Sequence, residues 1–123
     1  MRHRVKKLKI GRSKSHATAM VKNLATSLIL YEKVKTTRAK AKAFTSEIEK
    51  IIGLARAVEL GQKSKRVVIR ELSIRLFDEN ASKKLLEVLA PRYKDRASGF
   101  SRTTALGHRA GDAAEMVQVE LIS

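Results

Sequence analysis

Cationic side chains are the residues of this sequence whose type and spacing suggest a chemical role. The chain has 123 residues, with 27 Lys and Arg against 12 Asp and Glu, and a formal net charge of +15. An excess of this size repels itself in a compact chain, and polyanions relieve that repulsion. The composition therefore favours a nucleic-acid-binding protein over a protein that uses basic residues for solubility alone.

The positive charge is concentrated at the N-terminal end. The first 42 residues contain 13 basic residues and one acidic residue, Glu32, whereas the remainder has 14 basic and 11 acidic residues. Residues 1–16 contain no acidic residue. Such a segment repels itself and remains extended until phosphates neutralise its charge. We predict a basic RNA-binding arm over residues 1–15 and a single globular domain over residues 16–123. Candidate contacts here are Arg2, His3, Arg4, Lys6, Lys7, Lys9, Arg12, Lys14 and His16.

Two further basic groups lie within the predicted domain. One group is predicted to line a contact surface on the domain: Lys22, Asn23, Lys35, Thr36, Thr37, Lys40 and Lys42. Thr36 and Thr37 precede the N-terminus of the second predicted helix, whose free amides can bind phosphate. The other precedes and enters a glycine-containing hairpin: Arg92, Arg96, Arg102 and Arg109. Tyr93 is expected in the core, and only 4% of residues are aromatic, which disfavours a base-stacking sheet. The predicted mode is backbone contact to folded RNA, recognised by its shape.

Enzymatic constellations are weak. The chain has no cysteine and three histidines, His3, His16 and His108, of which two lie in strongly basic surroundings that disfavour a bound cation. Glu47 and Glu49 are two apart on a predicted helix and face different directions. The glycines are scattered, and no nucleophile-elbow pattern surrounds a serine. We expect no catalytic site, cofactor, metal or small-molecule substrate.

Hydrophobic periodicity predicts the elements that position these residues. The fold class is α+β, with the order helix, strand, three helices and β-hairpin. A small three-stranded mixed sheet packs against the helices, with a basic N-terminal extension, because an isolated hairpin needs a third strand. The predicted elements are a helix capped by Ser15 and ending near Tyr31, a strand to Thr37, a helix capped by Thr37 and ending near Gly61, a helix over 65–77, a short helix that stops by Pro91, and strands over 100–106 and 115–121.

Three stretches resemble the bacterial large-subunit ribosomal protein seventeen family. Their order and spacing agree over nearly the whole chain. They are Met1-Arg2-His3-Arg4 with Gly11-Arg12, Ser15-His16, Ala19-Met20, Asn23 and Ser27-Leu28; then Lys35-Thr36-Thr37 with Ala39-Lys40-Ala41-Lys42; and Leu89-Ala90-Pro91-Arg92-Tyr93 with Arg96, Gly99, Arg102, Arg109-Ala110-Gly111-Asp112 and Glu120-Leu121.

The resemblance implies a structural, non-enzymatic constituent of the large ribosomal subunit in the cytoplasm. It would bind large-subunit ribosomal RNA near the peptide exit tunnel and touch neighbouring large-subunit proteins. A free DNA-architectural module explains the charge equally well but not the succession of motifs. Membrane binding through the arm lacks the apolar face that an interfacial helix needs, and we expect no membrane partner.

Overall fold

The elements confirm the predicted α+β class and element order. The computed structural model describes residues 13–122, so the predicted arm contacts of residues 2–12 lie outside the described residues. The elements are α1 (Lys14–Tyr31), β1 (Lys33–Thr37), α2 (Arg38–Glu59), α3 (Lys65–Arg75), α4 (Glu79–Lys84), a π-helical segment (Leu85–Leu89), α5 (Ala90–Arg92), β2 (Ser101–His108) and β3 (Glu115–Leu121).

The sheet has the strand order β1-β3-β2, and both pairings are antiparallel. The expectation of a mixed sheet was wrong in this detail. The direction of β1 is set at Glu32, which ends α1 in the left-handed conformation (φ 62°) and donates its N–H to Leu28 O. Its carbonyl accepts from Leu121 N at 3.0 Å. That bond joins the entry of β1 to the exit of β3, and the two strands therefore run in opposite directions.

The hydrophobic core lies between α2 and one face of the sheet, with α1, α3 and the α4–α5 run packed around it. Val117, Val119 and Leu121 alternate inward along β3, as period-two patterning requires. Tyr93 is buried beside Phe100, with ring centroids 5.2 Å apart, which confirms its assignment to the core. Each fully buried aliphatic or aromatic side chain of this kind contributes about 1.5–3 kcal/mol.

Helix α1 begins earlier than predicted. Ser13, not Ser15, is the N-cap: its backbone is extended and its hydroxyl accepts from His16 N at 3.4 Å. Lys14 therefore lies in the first turn of α1. Thr37 is the N-cap residue of α2 as predicted, but its side chain makes no capping hydrogen bond.

The prediction that Pro91 stops the fourth helix was wrong. Helical backbone continues without a break from α4 through the π-helical segment into α5, which contains Pro91. Proline normally clashes with the carbonyl four residues before it. Here the preceding turn is widened, with Ala90 N donating to Leu85 O five residues back. The wider turn accommodates the proline ring and lets Tyr93 reach the core.

Candidate nucleic-acid interface

Four lysines lie on β1 and the first turns of α2, and we refer to them together as the cationic surface: Lys33, Lys35, Lys40 and Lys42. Lys33 and Lys35 are exposed on the outer face of the sheet, and Lys35 lies opposite the neutral Gln118. Within residues 13–122, none of these four lysines forms an ion pair. Lys35, Lys40 and Lys42 can therefore pair with a polyanion, whereas Lys33 lies opposite Glu120.

Two threonines of the same predicted group are placed differently. Thr36 alternates to the inner face and is only 7% exposed, whereas Thr37 is half-buried at the start of α2. Burial leaves the Thr36 hydroxyl with little surface for an external partner. Lys35 is therefore exposed to an external partner, whereas its neighbours Thr36 and Thr37 are buried and half-buried.

Helix α1 presents a second set of predicted contact residues. Lys14, His16 and Asn23 are exposed. Lys22 is half-buried, and its Nζ lies 4.2 Å from the centroid of the Phe77 ring. A cation over an aromatic face is stabilised by the ring quadrupole, so Lys22 also helps hold α1 against the turn that precedes α4.

The four arginines predicted as a third group are all bonded within the protein. Arg92 donates to Glu32, and Arg96 Nη1 donates to Gly99 O at 3.1 Å. Arg102 Nη2 lies 2.9 Å from Glu120 Oε1, and Arg109 Nε donates to Asp112 Oδ1 at 3.0 Å. Carboxylates neutralise part of the charge of Arg92, Arg102 and Arg109, whereas Arg96 donates to a neutral carbonyl and keeps its charge.

Two of these arginines belong beside the cationic surface. Glu32, which Arg92 binds, directly precedes Lys33 in the chain. Glu120, which Arg102 binds, is the cross-strand partner of both Arg102 and Lys33. Arg102 therefore lies near Lys33 on the sheet, and Arg92, on α5, is bonded to the residue that precedes β1. The four arginines that were grouped in the sequence do not form one group in the structure.

Glu32 is the electrostatic junction of this region. The Arg92 hydrogen bond and the charges of Arg92 and Lys84 lower the pKa of Glu32 below its ordinary value, against a smaller opposing effect of burial. The hydrogen bond from Arg92 correspondingly raises the arginine's own pKa. Lys84 Nζ also donates to Leu30 O at 2.9 Å. This network joins α1, α4 and α5 at the start of β1.

Arg109 lies apart from the others, at the tip of the β2–β3 hairpin. Arg109 N donates to Ala114 O at 2.8 Å, and Gly111 supplies a positive φ of 102° for the turn. The Arg109 hydrogen bonds lower the pKa of Asp112 to about 2. The tip therefore presents a self-neutralised ion pair instead of a bare cation.

A groove between α2 and the hairpin was missed by the sequence reasoning. Its helix side is formed by positions 38, 41, 42 and 45, and its strand side by positions 103, 105 and 107 of β2. Positions 38, 41, 42 and 45 lie on one face of a helix and positions 103 and 105 on one face of a strand, whereas Gly107 follows a register shift after Ala105. The two periodicities could have been read from the sequence, but not the fact that they face each other.

Glu49 holds the base of β2 in place. Its carboxylate accepts from the amides of Gly99 (3.2 Å), Phe100 (3.0 Å) and Ser101 (3.3 Å), and from the Ser101 hydroxyl. Glu47, two residues earlier, pairs with Arg75. The two carboxylates lie on different faces of α2, as predicted, and each has a structural partner.

Residues 13–122 contain neither a membrane-spanning helix nor a group of residues suited to bind a metal ion. Between residues 13 and 122, no helix is long and apolar enough to cross a membrane. Among those same residues, no three His, Asp or Glu side chains converge as a metal site would require.

The sequence is similar to one protein family and to individual members of it. The sequence model of the family described as Ribosomal protein L17 matches residues 20–122. The large ribosomal subunit protein bL17 of Desulforudis audaxviator is 42% identical over 114 residues, covering 93% of this chain and 96% of that protein. The protein of the same name from Trichlorobacter lovleyi is 42% identical over 123 residues, covering 99% of this chain and 94% of that protein.

Proposed function

The chain belongs to the ribosomal protein L17 family, and from that premise we propose that it binds large-subunit ribosomal RNA near the peptide exit tunnel. Its role is that of a structural constituent of the large ribosomal subunit in the cytoplasm, not that of an enzyme. The observation that carries the proposal is the family match, which extends over nearly all of the described residues. The partners are ribosomal RNA and neighbouring large-subunit proteins.

The distribution of charge supports contact with the RNA backbone. Lys35, Lys40 and Lys42 carry charge without an internal partner among the described residues. Phosphates supply most protein–nucleic-acid hydrogen bonds and set orientation, not sequence preference. The cationic surface suits such contacts, and α1 adds Lys14, His16 and Asn23 on its exposed side. The basic residues that precede α1, at positions 2–12, are proposed to add further phosphate contacts.

The location in the subunit can be tested with a single tethered cleavage reagent. The chain contains no cysteine, so Gln62→Cys creates a unique attachment point on an exposed turn after α2. An iron chelate there, in reconstituted large subunits, should cut ribosomal RNA segments at the rim of the exit tunnel. Cuts confined to RNA elsewhere in the subunit would contradict the proposed location.

RNA recognition is tested separately by competition. The full chain should bind transcribed large-subunit ribosomal RNA more tightly than small-subunit ribosomal RNA or duplex DNA of equal length. Because non-specific binding is dominated by phosphate charge, all comparisons need the same salt concentration. Equal affinity for the three competitors would remove RNA shape as the basis of recognition and favour a general polyanion binder.

A further inference from the structure

We propose that the groove between α2 and β2 holds one unpaired nucleotide of the bound RNA. The base lies against the apolar floor of the groove, and its phosphate lies at the cationic rim. The inference rests on the RNA binding proposed above and assigns a specific contact to it. It adds direct recognition of a base to a surface otherwise suited to backbone phosphates.

The groove exists because small side chains face each other at this end of the domain. Ala41 of α2 lies opposite Thr103, Ala105 and Gly107 of β2. Deeper in the domain, Phe44 and Ile48 of α2 fill the corresponding space. The space left open has a volume of about 580 Å³, within the range of ~300–1,000 Å³ that small-molecule sites occupy.

The lining combines two chemistries that a phosphate strand alone does not need. Ala41, Ala105, Met116 and Val117 make an apolar floor, and Thr45 and Thr103 also line the groove. The Thr45 hydroxyl donates to Lys42 O at 3.5 Å and can still accept a hydrogen bond. A phosphodiester placed on that floor would lose water without gaining partners. An unstacked base has an apolar face for the floor and polar edges for hydroxyl groups.

The rim supplies the charge that a nucleotide's phosphate requires. Lys42 is exposed and has no ion-pair partner within residues 13–122, and His108 lies at the hairpin end of the groove. Arg38 Nη1 lies 3.2 Å from Glu115 Oε2, with both side chains more than half exposed. Its planar guanidinium can stack on a base while it remains paired. Lys42 is therefore the principal phosphate contact.

The test fills the groove and follows individual bases. Ala105 is exposed, so Ala105→Trp occupies the groove without entering the core. The full chain and its variants are bound to transcribed large-subunit ribosomal RNA. Base-specific chemical modification and hydroxyl-radical cleavage of the backbone are then compared. Gln62→Trp, on the exposed turn at the far end of α2, adds the same bulk as a control.

The expected result is that one or two bases protected by the wild-type chain regain reactivity with Ala105→Trp but not with Gln62→Trp, while backbone protections remain. Affinity should fall about 5- to 150-fold, which corresponds to the ~1–3 kcal/mol of one stacked base. Ala105→Leu should give the same pattern more weakly.

Identical base reactivities for wild type and both Ala105 variants would overturn the inference and leave RNA binding intact. If the wild-type chain protects no part of the RNA backbone from cleavage, both the proposed function and the inference are overturned.

Discussion

Replacing Lys35 and Lys42 together by glutamine tests whether the cationic surface binds the RNA backbone. Both side chains are exposed, and within residues 13–122 neither belongs to an ion pair. Each should therefore neutralise one phosphate. The slope of log affinity against log salt should become shallower by about 0.7–0.9 per lost contact, or about 1.4–1.8 for the double variant. If the two affinities converge near 1 M salt, this predicts a loss of about 25- to 60-fold near 0.1 M salt.

The assay is titration of labelled large-subunit ribosomal RNA with the full chain at several salt concentrations. Lys50→Gln with Lys63→Gln is the matched control, because it removes the same charge from exposed positions away from the cationic surface. The control should retain a slope close to that of the wild-type chain. Equal slopes for the two double variants would show that affinity follows net charge alone, and the assignment of the cationic surface would be refuted.

Three further predictions concern hydrogen bonds and ion pairs within the domain. Glu49→Gln should lower the free energy of unfolding by about 1.5–3 kcal/mol, because the amides of buried Phe100 and half-buried Ser101 lose a charged acceptor. Urea unfolding checks this beside the exposed Glu59→Gln, which should change the free energy of unfolding by less than ~0.5 kcal/mol. Equal effects of the two substitutions would contradict the prediction. The lowered pKa of Glu32 means that its ion pairs stabilise the fold above the ordinary value of 4.5 and lose that effect as the pH falls through the lowered pKa. The urea midpoint should therefore fall less steeply below pH 4.5 in Glu32→Gln than in the wild-type chain. Parallel curves for the two proteins would show that the ion pairs of Glu32 do not stabilise the fold. The pKa of Asp112, followed by carboxyl NMR, should be about 2 and rise toward 3.8 in Arg109→Gln; an unchanged value would show that the hairpin ion pair does not form.

Internal ion pairs are compatible with the proposed binding of RNA beside them. Arg92 and Arg102 are tied to Glu32 and Glu120, and both carboxylates border the cationic surface. A fixed arginine loses less side-chain entropy on binding than a free one. Its remaining donors stay available, because a guanidinium has five. These residues therefore act mainly by shaping the surface, while the lysines supply most of the net charge.

The order of elements and the placement of charge followed from the sequence because both are local properties. The apolar spacing of α2 and the alternation over 115–121 predicted a helix and a strand that the structure confirms. The concentration of basic residues before Ala43 is also a property of the sequence alone, and the proposal that a polyanion binds there starts from it. The family motifs were identified in the same way, since order and spacing along a chain are enough to recognise them, and the comparisons confirm that identification.

Tertiary structure alone decided which side chains meet. Arg92 finds Glu32 at a separation of 60 residues, and Glu49 binds amides about 50 residues away. No helical or strand period contains such distances, because they depend on how packed elements are oriented. The antiparallel direction of β1, the continuation of the helix through Pro91 and the groove between α2 and β2 share this origin. In each, the outcome is set by the space and partners that neighbouring elements provide, which a linear pattern does not record.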